Sequence, residues 1–311
     1  MTTNGNGKAP VLVVLQMTGG NDFMNTLVPF TEGIYYDSRH TVRIEEDQVI
    51  KINDKLGFHP AAAPLKEMYD NGDVAIIQGI GYENAIRSHF RAMDIMHTAE
   101  PNTIATEGWL AKAIRQIDPH GQNVLTGVSF GRGLPRAMAA PGVRVTSVGD
   151  LDSYGLMTSV EIKEDRAEAM DIFKRFYTPG IGSGPTMAYL KQTGDDVLTG
   201  IDRLQEVPGQ YESTVEYEDN GLAKALRDVA RTHIAGLGTQ IFYVQHPGYD
   251  HHAIEMPAHE KLLGELSGAL RDFMDDLREH DVAEEVVIYA FTEFGRRVQD
   301  NGSGTDHGSG G

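Results

Sequence analysis

The chain has 311 residues, 40% of them apolar, and 45 acidic side chains against 27 basic ones, for a net charge of −18. That length allows one large α/β domain or two small ones, with enough apolar residues for a sizeable core. The acidic balance argues against a nucleic-acid footprint, the lack of any apolar run of about 18 residues against a membrane span, and the lack of cysteine against disulfides, thiolate metal sites and a cysteine nucleophile.

In chain order, "MTTNGNGKAP" lacks the basic and apolar regions of a signal peptide, so the chain as written reads as cytoplasmic. "VLVVLQM" at 11–17 predicts a buried parallel strand that empties into "TGGND". Residues 61–71 predict a short helix, with Ala62, Leu65, Met68 and Tyr69 on one side and Asn71-Gly72 closing it. "VAIIQGIG" at 74–81 predicts a second buried strand, and "SHFRAMDIMHT" a helix with Ser88 at its N-cap or first turn. Strand, helix, strand, helix is the order of a βαβ sheet. The stretch 120–220 predicts an insertion or cap, with strands at "VLTGVSF" and "VRVTSV" and helices at 161–177 and 185–205 joined by "PGIGSGP". Beyond it come an amphipathic helix over "LAKALRDVARTHIAGLG", the strand "TQIFYVQ", the loop "HPGYDHHA", a long amphipathic helix, the strand "EEVVIYAF" and the exit loop "TEFGRR".

Four polar clusters share one placement, just after a predicted strand: Asp22, then Arg87-Ser88-His89, then Asp250-His251-His252, then Glu293. Ligands of open α/β sheets bind outside the carboxyl ends of the strands, so parallel, adjacent strands would make these clusters converge. Asp22 is either a turn residue or a cation ligand. Ser88 is either a helix cap or a nucleophile in the positive field of a helix N-terminus, where Arg87 would help to hold an anionic ester. The "DHH" triplet predicts a metal site. Alternation points Asp250 and His252 the same way and His251 elsewhere, while His259 reads as an outer or surface residue. Glu293 is a candidate ligand. Asp306-His307, between glycines, either folds back over the site or belongs to a disordered terminus. Without cysteine, any metal takes His, Asp and Glu, which favours Zn2+ or Mn2+, with Mg2+ or Ca2+ as alternatives; one or two ions fit the residues available.

The segments "LVVLQMTGGNDFMNTLVPF", "LGFHPAAAPLKEMYDNGDVAIIQGIG", "RSHFRAMDIM", "GYDHHA" and "TEFGRRVQDNGSGTDHG" resemble, in order, the motifs of the bacterial family called domain of unknown function 1501. That family is placed with alkaline phosphatases, sulfatases and cofactor-independent phosphoglycerate mutases. The resemblance implies an α/β three-layer sandwich with a mostly parallel central sheet flanked by helices, forming one domain over 1–311. It implies Asp22, Asp250, His252 and His307 as metal ligands, with Asp306 beside His307, and Ser88 as nucleophile. Glu293-Phe294 stands where the superfamily has an Asp-His pair, a departure that bears on the second metal. Arg87, His89 and Arg296 are candidates for anion holding or proton transfer. Relatives usually continue beyond "TDHG", so a C-terminal truncation is expected, and many carry a twin-arginine export leader. The implied function is a metal-dependent hydrolase of a small-molecule or glycan phosphate or sulfate ester. A catalytically silent, metal-stabilised protein that binds a glycan or partner protein, and a phosphomutase, are the alternatives.

Overall fold

The computed structural model describes residues 9–152, 154, 165, 168, 169, 171, 172, 175 and 184–310. Among them the strands are β1 (Val11–Thr18), β2 (Leu27–Val28), β3 (Ile50–Lys51), β4 (Gly57–Phe58), β5 (Gly127–Phe130), β6 (Thr146–Val148), β7 (Ile241–Pro247), β8 (Val286–Phe291), β9 (Arg296–Asp300) and β10 (Thr305–His307). The named helices are α1 (Phe23–Thr26), α2 (Gly33–Ser38), α3 (Ala63–Asp70), α4 (His89–Thr98), α5 (Trp109–Ile117), α6 (Pro185–Leu204), α7 (Gly221–Ile234) and α8 (Glu255–Glu279).

The central sheet runs β6-β5-β7-β1-β8, and every neighbouring pair is parallel. A parallel sheet is covered on both faces, which is why β1 reads as an unbroken apolar run. Alternate residues serve opposite faces. Val13 and Leu15 join Phe242, Val244 and Phe130 against Leu226 and Val229 of α7 and Leu266 and Phe273 of α8. Val14, Ile241 and Tyr243 face the other way, against Leu110 and Ile114 of α5. The stripe Leu263, Leu266, Leu270, Phe273, Leu277 keeps the 3–4 spacing that turns one side of α8 to the core. The helix α7 begins at Asn220, whose side chain accepts a bond from Ala223 N at 2.8 Å and so caps a free N–H.

The sheet also holds α4, the helix that opens at Ser88. His97 Nε2 lies 3.1 Å from Gln16 Oε1 on β1 and 3.1 Å from Tyr243 Oη on β7, and the Tyr243 hydroxyl donates to the same Gln16 oxygen. Burial pushes the His97 imidazole down to about 4, so the ring is neutral. This pin fixes the last turn of α4 against the sheet, so its first turn falls at the carboxyl ends of the strands.

Three expectations change. Residues 74–81 are not a strand. They are largely exposed, with Ile77 and Ile80 each 73% exposed, and Gly79 has φ of +71°, which breaks an extended pleat. An apolar run becomes a strand only where a neighbour takes its backbone bonds. Residues 127–148 are not part of a cap, because β5 and β6 are two strands of the central sheet. The helix α5 was not anticipated; it is amphipathic, with Leu110, Ala111 and Ile114 buried. The expected helix at 161–177 and the linker "PGIGSGP" fall largely outside the described residues. The positions described within the former, Asp165, Glu168, Ala169, Asp171, Ile172 and Arg175, are helical, and the helix expected at 185–205 is α6. Among the described residues no helix is long and apolar enough to cross a membrane.

Phe242 is fully buried at the middle of the sheet and stacks on Phe130, with ring centroids 6.3 Å apart. Phe242→Ala should therefore cost about 3–5 kcal/mol in urea unfolding, and a loss below about 1 kcal/mol would contradict this packing.

Candidate functional site

Three parallel neighbours, β7, β1 and β8, end side by side, and the loops they feed meet. β1 runs into Gly19-Gly20, β7 into Tyr249-Asp250 and β8 into Glu293. The two glycines are required by space. Gly19 has φ of +127°, and a Cβ there would lie 2.4 Å from Asp250 N; a Cβ on Gly20, at φ +79°, would lie 2.4 Å from the Phe294 ring.

Arg296, fully buried at the start of β9, ties these loops together. Its guanidinium donates to the carbonyls of Gly20 (2.6 Å), Gly19 (2.5 Å), Tyr249 (2.9 Å) and Thr305 (2.8 Å), and to Asp250 Oδ1 (2.8 Å). Expected to hold an anion or move a proton, Arg296 instead lies under the site with its donors spent within the protein. It also shapes the site's charge. Partial burial pushes the Asp250 carboxyl up, but the bonds from Arg296 and His307 outweigh it and hold the group down at about 2.

Around Asp250 stand three imidazoles. His89 Nε2 is 3.2 Å from Oδ2, and His252 Nε2 and His307 Nε2 are each 3.1 Å from Oδ1. His252 Nε2 and His307 Nε2 are 2.9 Å apart. The opposite nitrogen of each ring faces an oxygen that can only accept. His89 Nδ1 meets Glu293 Oε1 at 2.9 Å, His252 Nδ1 meets Asp306 Oδ1 at 3.1 Å, and His307 Nδ1 meets the Arg87 carbonyl at 2.8 Å. Each ring therefore has an acceptor oxygen at both of its nitrogens, the Asp250 carboxylate being the one they share. Added protons or a cation among the Nε2 atoms and the carboxylate would satisfy such an arrangement. The His89 Nε2 atom is buried and, although 3.2 Å from Asp250 Oδ2, makes no aligned hydrogen bond among the described residues. His89, Asp250 and His307 offer ligand atoms within 4.8 Å of one another. His252 lies outside that group of three, although its Nε2 is 3.1 Å from Asp250 Oδ1 and 2.9 Å from His307 Nε2. The donor set can hold a divalent cation of the zinc type.

Glu293 and Asp306 stand behind these rings. Glu293 is buried and accepts from Gly19 N at 2.9 Å as well as facing His89. The Asp306 carboxyl is held down by its bond from His252 and then by one from Asn301. Phe294 packs against the His89 and His307 rings, with centroids 4.8 and 4.5 Å away. Asp306 and His307 do not belong to a loose tail: β10 pairs antiparallel with β9, setting His307 opposite Arg296.

Ser88 is the N-cap of α4, exposed, with extended backbone and no capping bond from its side chain. The Arg87 side chain is exposed beside it.

Asp22 lies elsewhere. Both its oxygens accept from the Arg39 guanidinium, Oδ1 at 2.8 Å from Nη2 and Oδ2 from Nη1, and the residue is 1% exposed. Burial raises its carboxyl, yet the Arg39 charge and hydrogen bond bring it below the usual range. Implied as a metal ligand, it is instead one half of a buried ion pair. Beside it sits Glu255, which accepts from Thr305 Oγ1 at 2.7 Å and Asn25 Nδ2 at 3.3 Å. Burial and then the Asp22 charge push Glu255 up to about 9, so the two carboxyls share a proton. His251 turns to this side, away from the cluster that its neighbours Asp250 and His252 join, and His259 is buried there too; burial holds the latter imidazole down to about 3. Arg39, Glu255 and the ligand geometry of His89 were not read from the sequence. No spacing signal marks Arg39 or Glu255, since each reaches Asp22 only through the fold.

Residues 198–311 match the family described as Protein of unknown function (DUF1501). The matched stretch carries Asp250, His252, Glu293, Asp306 and His307 of the site, while Ser88 and His89 precede it. No curated protein and no solved structure matches the chain.

Because Glu255 keeps its proton in the folded chain up to about 9 and loses it near the ordinary 4.5 when unfolded, the folded state binds the extra proton between those values. Stability from this group therefore falls as pH rises across that window. Glu255→Gln, which mimics the protonated form, should flatten the fall in melting temperature between pH 5 and pH 9 relative to wild type. An unchanged slope would contradict the shared proton.

Proposed function

We propose that the protein is a metal-dependent hydrolase of phosphate or sulfate esters, built on an alkaline phosphatase-like sandwich, with Ser88 as nucleophile and one divalent cation held by His89, Asp250, His252 and His307. The observation that carries the reading is the convergence of three Nε2 atoms on the Asp250 carboxylate, with the exposed N-cap Ser88 next in the chain to His89. One ion is favoured over two because Asp22 is sealed by Arg39 and Glu293 faces a histidine.

A bound cation would draw negative charge from the ester oxygens and favour the serine alkoxide. The chain's own residues do the rest. The free N–H groups of the first turn of α4 and the exposed Arg87 orient the anionic oxygens. Ser88 Oγ attacks phosphorus or sulfur; the new bond forms as the ester bond to the alcohol breaks. The serine proton passes to water, which reaches the site because the Asp250 and His252 side chains are each 45% exposed. The departing alkoxide takes a proton from solvent. Water then attacks the covalent serine ester, releases phosphate or sulfate and restores the hydroxyl.

Ser88→Ala should reduce turnover of an aryl phosphate or aryl sulfate by a factor of about 1000 or more without lowering zinc uptake. Zinc at a hundred times its Kd should stabilise the fold by about 2.7 kcal/mol, a gain that a chelator removes. Full activity in the Ser88 variant would eliminate that residue as nucleophile. Zinc-dependent stability with no turnover of any ester would favour the metal-stabilised binding protein instead.

A further inference from the structure

We infer that Glu293 and Asp306 are positioning residues that each act on the metal centre through one histidine, Glu293 through His89 and Asp306 through His252. The inference rests on the reading that His89, Asp250, His252 and His307 hold a cation.

The geometry of Glu293 argues against direct ligation. Its carboxylate is spent on the Gly19 N–H at 2.9 and 3.1 Å, on the Thr292 hydroxyl at 3.2 Å and on His89 Nδ1 at 2.9 Å. The Gly19 amide holds it from the end of β1, so it cannot swing toward Asp250 without leaving that buried N–H unpaired. What it can do is fix the His89 ring. An acceptor at Nδ1 selects the tautomer with a lone pair on Nε2, aims that nitrogen, and raises its basicity as a ligand. Phe294 closes the other side of the same ring, with centroids 4.8 Å apart, which leaves the imidazole little freedom to rotate.

Asp306 does the same at the rim. It faces His252 Nδ1 at 3.1 Å and is itself steered by Asn301 Nδ2 at 3.4 Å, in the turn of the β9–β10 hairpin. His307 completes the pattern with a neutral acceptor, the Arg87 carbonyl, at 2.8 Å. Since that carbonyl belongs to the residue before Ser88, the same bond sets the distance between the metal centre and the start of α4. Three rings thus have three different orienting groups, one buried carboxylate, one exposed carboxylate and one main-chain oxygen.

Cobalt(II) titration of the full chain, followed by visible absorption, tests this without reference to turnover. Glu293→Gln should weaken cobalt binding by about 10–100-fold yet give the same band positions at saturation, because the ligands are unchanged. Asp306→Asn, at an exposed position that does not threaten folding, should do likewise. The losses should be specific in double-mutant cycles: Glu293→Gln should add nothing once His89 is alanine but its full effect once His252 is alanine, with Asp306→Asn showing the reverse. Shifted bands at saturation, or a full further loss for Glu293→Gln in the His89→Ala chain, would make Glu293 a direct ligand and overturn the inference. Unchanged affinity in both carboxylate variants would overturn it while leaving the metal centre standing. A wild-type chain that takes up no cobalt would overturn both.

Discussion

A single buried guanidinium sets the geometry on which the site depends. Arg296 gathers the carbonyls that end β1 and β7 and the one that precedes Asp306, and it gives its remaining reach to Asp250. Four carbonyl dipoles and one carboxylate compensate a cation that would be prohibitively costly to bury alone. In return, loops from distant parts of the chain are fixed relative to one another, and the one carboxylate left half in solvent is aimed at the imidazoles. Replacing such a group without its partners would leave those carbonyls unpaired, so its role is architectural even though it borders the site.

The polar residues near the strand ends divide into two groups with opposite chemistry. On the solvent side, the Asp250 carboxyl is held down and three histidines turn their Nε2 atoms toward it. On the buried side, Asp22, Arg39 and Glu255 neutralise one another by an ion pair and a shared proton. His251 and His259 stay neutral there, because burial disfavours their charged forms. Thr305 connects the groups: its carbonyl binds Arg296 and its hydroxyl binds Glu255, one residue before Asp306 and two before His307. The buried group thus holds the hairpin that carries half of the exposed one.

The parallel strands were legible because their apolar runs are continuous and their ends are marked by glycine and polar residues. The convergence of "GGND", "PGYDHH" and "TEFG" follows from that pattern once β7, β1 and β8 are neighbours. The split between Asp250 with His252 and the inward His251 matches the alternation expected of an extended segment, although these residues lie in the loop beyond β7. What the pattern could not carry is pairing through space. "VAIIQGIG" has the composition of a strand, but its backbone finds no neighbouring strand among the described residues. Asp22 looks like a ligand until Arg39, from a loop with no apolar rhythm, closes over it. Glu293 looks like a ligand until the Gly19 amide and His89 occupy both its oxygens. His89, weighed for anion or proton handling, is set apart by a property no sequence displays: a buried Nε2 that faces the Asp250 carboxylate without an aligned hydrogen bond.

X-ray absorption at the zinc edge, on the full chain loaded with one equivalent of zinc, tests the central claim most directly. The account predicts one tightly bound ion with three imidazole ligands and one carboxylate, reduced to two imidazoles by His89→Ala. Failure to bind zinc stoichiometrically, or a bound ion whose imidazole count does not change when His89 is removed, would contradict it.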